Sequence, residues 1–111
     1  MSVPEVDPEA ARALAESGAL LLDVREPNEW NAGHAPHALF IPLGQLAEHV
    51  DELPRDRRIV AICRVGGRSA RATEFLIAAG VDAVNLAGGM RAWAASGLDV
   101  ETDDGDAGTV I

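Results

Sequence analysis

The residues equipped for chemistry crowd into one stretch, Cys63-Arg64-Val65-Gly66-Gly67-Arg68-Ser69. Two adjacent glycines let a backbone curl tightly, and a loop that closes onto a helix N-terminus turns successive N–H groups toward one centre. Such a centre binds an anion. A thiol at its base gains from the helix dipole and from neighbouring arginines, both of which favour thiolate over thiol. Cys63 therefore reads as a nucleophile beneath an anionic substrate. A lone free cysteine inside an apolar strand is more often a small buried hydrophobe. Here it stands where an apolar run ends and a loop of glycines and arginines begins, a setting with no obvious packing purpose.

The elements around that loop follow from the hydrophobic pattern. Asp7-Pro8 looks like an N-cap and first helical residue, and Ala11, Leu14 and Ala15 share a face of a helix from about Pro8 to Ser17. Ala19 to Val24 is an apolar run broken only by Asp23, as expected of a strand covered on both faces. Glu26 to Trp30 starts a short helical turn, Gly33 to His37 is a loop, and Ala38 to Ile41 is a second apolar run stopped by Pro42. Leu43, Leu46, Ala47 and Val50 fall at helical spacing, and the run from Arg58 to Ile62 ends directly at Cys63. Beyond the loop, Ala72, Phe75, Leu76 and Ala79 mark one face of a helix closed by Gly80, and Asp82 to Leu86 is a further strand. Gly88-Gly89 leads into a last helix with Met90, Trp93 and Ala94 inward and Gly97 at its end. Strands alternating with helices predict an α/β fold, a mainly parallel sheet flanked by helices on both faces. Ligands of such sheets sit beyond the C-terminal strand ends, where Asp23-Val24-Arg25 and Cys63 both fall.

Composition removes several functional classes. The 111 residues hold 18 acidic side chains against nine arginines and no lysine, a formal charge of -9, which opposes binding to a nucleic-acid backbone. That length suits one domain, residues 1–100, followed by an acidic end, 101–111, expected to be solvated and flexible. One cysteine cannot form an internal disulfide, and the N-terminus lacks the pattern of a secretory leader, so a reducing cytoplasm is expected. No apolar run approaches a membrane span. A monomer is expected, for no large amphipathic surplus is visible. The charge is uneven: Arg55 to Arg71 holds six arginines and only Asp56 as an acid, a local +5 that leaves -14 elsewhere. Were those arginines gathered at the mouth of the loop, they would focus small anions on Cys63.

Four blocks in order resemble a single-domain rhodanese, a sulfurtransferase module, over about Leu20 to Val100. They are Leu22-Asp23-Val24-Arg25-Glu26 with Glu29-Trp30, then Gly33-His34-Ala35-Pro36-His37-Ala38 with Ile41-Pro42, the Cys63 to Ser69 loop, and Gly88-Gly89-Met90-Arg91-Ala92-Trp93. The resemblance implies a rhodanese-like fold with a five-stranded mainly parallel sheet, and a Cys63 that accepts a sulfane sulfur as a persulfide. It implies a small anionic donor such as thiosulfate, held by the backbone of Arg64, Val65, Gly66, Gly67, Arg68 and Ser69, and a small thiol, cyanide or protein thiol as acceptor. No metal or organic cofactor is required. Arg68 would order the loop and supply positive charge, and Arg64 at the mouth would help choose the donor. Asp23 and Arg25 resemble a strand-end acid and base that brace the loop, and Glu29, Gly33 and His34 match family positions as supporting residues.

Loop length separates this chemistry from that of cysteine phosphatases, which resemble the pattern Cys, five residues, Arg. Here only four residues separate Cys63 from Arg68. A shorter ring is tighter and suits attack on sulfur, so a phosphatase or arsenate reductase is disfavoured. With no second cysteine, a persulfide must pass its sulfur to an external acceptor. An alternative of another class is a sulfur-carrier or interaction module loaded by protein partners. His34 and His37 have a spacing that suits a metal, but Pro36 intervenes and the sole thiol is distant in sequence, so no metal site is expected. Trp30 and Trp93 are expected in the core, and His49 on a helix surface.

Overall fold

The computed structural model describes residues 3–111. Met1 and Ser2, part of the stretch inspected above for a leader, lie outside the described residues. Along the chain run β1 (Glu5–Val6), α1 (Pro8–Glu16), β2 (Leu20–Asp23), α2 (Pro27–Ala32) and β3 (Leu39–Phe40). A helical passage follows, in which α3 (Leu46–His49) is flanked by 3-10 turns at Leu43–Gln45 and Val50–Glu52. Then come β4 (Ile59–Ile62), α4 (Gly67–Ala78), β5 (Ala83–Leu86) and α5 (Gly89–Ala95). The strands form one sheet in the order β1-β5-β4-β2-β3, and every pairing is parallel. This is the expected α/β architecture, with β4 at the centre. β1 was invisible in the sequence: two residues carry no readable period, and the strand exists because Glu5 and Val6 pair with Asn85 and Leu86.

The central strands look uniformly apolar, yet their side chains part cleanly. Leu21, Val60, Ile62, Val84 and Leu86 pack with Ala11 of α1 and with Met90 and Trp93 of α5. Leu22, Ile59, Ala61, Cys63 and Ala83 pack on the other face, with Ala72 and Leu76 of α4 and Leu46 of α3. Alternation sends neighbouring side chains to opposite faces, and both faces are dry. The position of Cys63 in this alternation aims its side chain toward α4.

Local signals set the helix starts. Asp7 accepts from the Ala10 N–H at 2.8 Å with Pro8 in the first turn of α1, the arrangement expected of an N-cap. Glu26 and Glu29 form a capping box around Pro27 at the start of α2. The passage after Pro42 is not one helix, and Ala47 is exposed. Phe75 is 38% exposed rather than inward, because α4 begins at Gly67 and buries Ser69, Ala72, Thr73 and Leu76 instead. Ala94 is likewise exposed. Trp93 is buried, its Nε1–H bonded to the Asp99 carbonyl. Trp30 is half-buried and stacks between His34, with ring centres 3.6 Å apart, and Phe40.

The acidic end, expected as a loose tail, folds back across the domain. Glu101 exchanges backbone hydrogen bonds with His34 at 2.8 and 2.9 Å, and the Thr109 N–H reaches the Ala32 carbonyl. Gly33 leaves room for this passage, since a Cβ there would lie 2.6 Å from the Thr109 nitrogen. Composition misleads here because Asp103, Asp104 and Asp106 stay exposed while backbone hydrogen bonds, with one contact from the Asp103 carboxylate to His34, make the attachments. Among the described residues, no helix is long and apolar enough to cross a membrane.

Candidate active site

Cys63 follows the last residue of β4 and is 1% exposed. Gly66, with φ at +111°, turns the chain from strand to helix in a left-handed conformation that disfavours any residue with a Cβ. The result is a short loop whose Gly66 N–H donates to Cys63 Sγ at 3.1 Å, while the Ser69 hydroxyl donates at 3.2 Å. Burial pushes the thiol's pKa up. The Ser69 hydroxyl and the N–H groups of Ser69, Gly66 and Val65 outweigh that effect and bring it below the ordinary cysteine value. The site can therefore hold a buried thiolate without a formal positive charge in contact with the sulfur.

The loop is fastened from behind. The Met90 N–H donates to the Cys63 carbonyl at 2.8 Å and the Arg91 N–H to the Arg64 carbonyl at 3.0 Å. A trans peptide points its N–H opposite to its C=O, so carbonyls tied to the start of α5 turn the Arg64 and Val65 N–H groups to the cradle side. Gly89 makes this approach feasible: a Cβ at this position would lie 2.5 Å from the Arg64 carbonyl carbon and the Cys63 oxygen. The second glycine of Gly88-Gly89 was legible as a motif but not as the floor of the loop.

Of the arginines, Arg68 forms a two-pronged pair with Glu29, at 2.7 and 2.9 Å, while its charge still acts on Cys63 through space. Glu29 also accepts from the Glu26 N–H at 3.0 Å. The Arg68 guanidinium holds its carboxyl down at about 2 against the opposing effect of burial, and the carboxylate in turn raises the Arg68 pKa. Arg68 is thus an anchor of α4 to α2, and its charge is already partnered. Arg64 donates through Nε to the Ile111 carbonyl at 2.9 Å. The expectation of a basic funnel fails for the other half of the cluster. Arg57 and Arg55 bond to the Gly18 and Ala79 carbonyls, and Arg58 pairs with Asp82. All three precede β4, at the opposite end of the strand from Cys63.

Asp23 and Arg25 form a buried pair with contacts of 2.8 to 3.1 Å, and Arg25 also donates to the Gly33 carbonyl. They tie the end of β2 to the Gly33–His34 loop and, among the described residues, form no hydrogen bond with Cys63. His34 is buried, with Nε2 2.9 Å from Asp103 and Nδ1 3.1 Å from the Ala35 carbonyl. His37 is exposed. Among the described residues, no group of three or more His, Cys, Asp or Glu is placed to hold a metal ion.

Comparison with known proteins agrees with this build. The model of the rhodanese-like domain matches residues 7–96. A sulfurtransferase of Allochromatium vinosum is 39% identical, over 93% of this chain and 99% of that protein. The thiosulfate sulfurtransferase GlpE of Pseudomonas syringae pv. syringae is 33% identical, over 79% and 84%. The crystal structure of a rhodanese-related protein from Thermoplasma volcanium superposes with a TM-score of 0.83 at 33% identity, covering 87% of this chain and 96% of that one. In sequence and in fold, the chain is a member of the rhodanese-like family, of the sulfurtransferase type.

Proposed function

We propose that the protein moves a sulfane sulfur from thiosulfate, or a donor of the same chemistry, through a persulfide on Cys63 to an external thiophile. The Cys63 thiolate attacks the outer sulfur of the donor. A bond forms between Sγ and that sulfur, the bond to the sulfonate sulfur breaks, and its electron pair leaves with sulfite. In the second half, an acceptor thiolate or cyanide attacks the terminal sulfur of the persulfide and Cys63 leaves as the thiolate. No outside oxidant or reductant is needed. The N–H groups of Arg64, Val65 and Gly67 serve the donor anion and then the terminal sulfur.

The observation that carries this reading is the buried Cys63 sulfur held by an N–H and a hydroxyl at the base of a loop whose second arginine, Arg68, is paired with Glu29. A phosphoryl transition state builds charge that a free guanidinium commonly stabilises, and Arg68 is committed to Glu29. Incubation with thiosulfate is expected to add one sulfur atom, seen by intact mass, with release of sulfite. Cys63→Ser should lose both, a fall on the order of a thousandfold or more for removal of a nucleophile. Persistence of the adduct in that variant, or aryl-phosphate hydrolysis at a comparable rate, overturns the assignment.

A further inference from the structure

Asn85 sits on β5 beneath the active loop, fully buried, and its amide joins two parts of the molecule that are distant in sequence. Nδ2 donates to the Gly66 carbonyl at 3.1 Å and to Glu5 Oε2, across the β1–β5 register, at 3.0 Å. Both neighbours are acceptors, so only the NH2 side of the amide satisfies them. Its oxygen, Oδ1, has no hydrogen-bond partner among the described residues. A buried asparagine with an idle acceptor is a poor choice for packing alone, and a leucine or valine would fill a β5 position between apolar neighbours without leaving a polar atom unpaired.

We propose that Asn85 is a positioning residue for Cys63, acting through the Gly66 carbonyl and itself held by Glu5. The inference rests on the assignment of Cys63 as the nucleophile. The Gly66 carbonyl already accepts from the Ala70 N–H at 3.1 Å as the first bond of α4. Asn85 adds a second donor from the sheet side and so fixes the peptide plane between Gly66 and Gly67. With that carbonyl drawn toward β5, the Gly67 N–H is turned the other way, to the open side of the cradle. The same anchorage limits movement of Gly66, whose own N–H meets the Cys63 sulfur. Together with Met90 and Arg91, Asn85 completes a set of three donors that grip the loop's carbonyls from outside, and it is the member of that set supplied by a side chain. Glu5 gives the edge strand β1 a function: its carboxylate orients the amide.

The test is the rate of Cys63 alkylation by iodoacetamide across pH, which reads the thiolate and needs no sulfur donor. Asn85→Ala should slow alkylation at neutral pH about fivefold, as expected for one neutral hydrogen bond, and move the midpoint of the profile to higher pH. Glu5→Ala should move it in the same direction by less. Glu5→Gln, which keeps an oxygen for the amide, should restore the wild-type profile. An unchanged profile in Asn85→Ala, with only a lower melting temperature, overturns the proposal. If that variant does not fold, the exposed Glu5 decides the matter: Glu5→Ala with a wild-type profile also overturns it. Normal alkylation shifts in a protein that accepts no sulfur from thiosulfate would sink the sulfurtransferase assignment and leave this one standing.

Discussion

At the entry to β4, Arg55, Arg57 and Arg58 bond to carbonyls and to Asp82 on the surface. At its exit, Cys63 is met by an N–H and a hydroxyl, and Arg68 of the loop is paired with Glu29. The six arginines from Arg55 to Arg71 divide evenly between the two ends of the strand, whereas the hydrogen bonds to the sulfur come from neutral groups. The difference locates the attraction for an anion in oriented backbone dipoles, which cost no reorganisation when charge arrives. Predictions that act on the loop should therefore be large, and those that act on the arginines small.

The largest effect short of removing the sulfur is expected from Gly89→Ala. The new Cβ would lie 2.5 Å from the backbone of Cys63 and Arg64, at a position with φ of +58°. Backbone cannot yield as a flexible side chain would, so α5 and the loop must separate. A displacement near 1 Å at reacting groups costs about a hundredfold in rate, and overpacking lowers stability by about 1–3 kcal/mol. Steady-state sulfur transfer and a thermal melt on the same sample measure the two losses. Wild-type activity in this variant would mean that the loop does not depend on α5.

Ser69→Ala comes next. The hydroxyl 3.2 Å from Sγ is buried and is the largest single influence that lowers the thiol pKa. A hydrogen bond to a charged group contributes about 1.5–3 kcal/mol, so its loss should raise the Cys63 pKa and shift the acidic limb of the alkylation profile to higher pH. At neutral pH the rate should fall by about tenfold or more. If the limb stays in place, the N–H groups alone suffice to hold the thiolate.

Smaller again is the Glu29–Arg68 pair, which acts on stability. The Glu29 carboxyl is lowered to about 2 from an ordinary 4.5. A depressed carboxylate contributes stability that is fully present above its unfolded pKa and lost as pH falls through its folded one. The contribution should hold above about pH 5 and fade between there and pH 2. Because the Arg68 side chain is 35% exposed, solvent screening keeps the pair to about 1 kcal/mol or less. Melting temperatures of wild type and Glu29→Gln should thus differ modestly at pH 7 and converge on acidification. A gap that widens in acid contradicts the sign.

Much of this was legible in the residues, and the gaps share a physical origin. Central strands and helix starts announce themselves through local signals: the apolar runs at Ala19 to Val24 and Arg58 to Ile62, the Asp7-Pro8 cap, and the glycine-rich turn after Cys63. Cys63 was found because its chemistry and its place at a strand end lie within one short stretch. What the sequence hid is pairing across long separations. Nothing in Glu5-Val6 announces a strand, Glu29 and Arg68 are 39 residues apart, and Asn85 reaches Gly66 from 19 residues away. Net charge misled twice for one reason, that composition does not say where a side chain points. It left open that all six arginines gather at the mouth, which Arg55, Arg57 and Arg58 do not, and it set the Asp99 to Ile111 stretch adrift although its backbone is paired to the Ala32–His34 segment.

The smallest expected effect is also the sharpest test of the contrast between the two ends of β4. Arg57→Gln and Arg55→Gln remove charge at the entry, separated from Cys63 by a four-residue strand, which rises about 13 Å. The Debye length at physiological salt is about 8 Å, so exposed charges at that range are largely screened. Long-range steering, if it operated, would grow as salt is lowered and would be reduced by either substitution. The donor's kcat/KM should instead stay within about twofold of wild type at ordinary ionic strength. Its salt dependence should be the same in the variants as in the wild type. A steep salt dependence that weakens in Arg57→Gln would assign the distal arginines a role in capture. A flat response in both leaves the loop itself, its N–H groups and its own arginines, as what draws the anion in, and makes Arg55 and Arg57 fasteners between this stretch and the ends of α4 and α1.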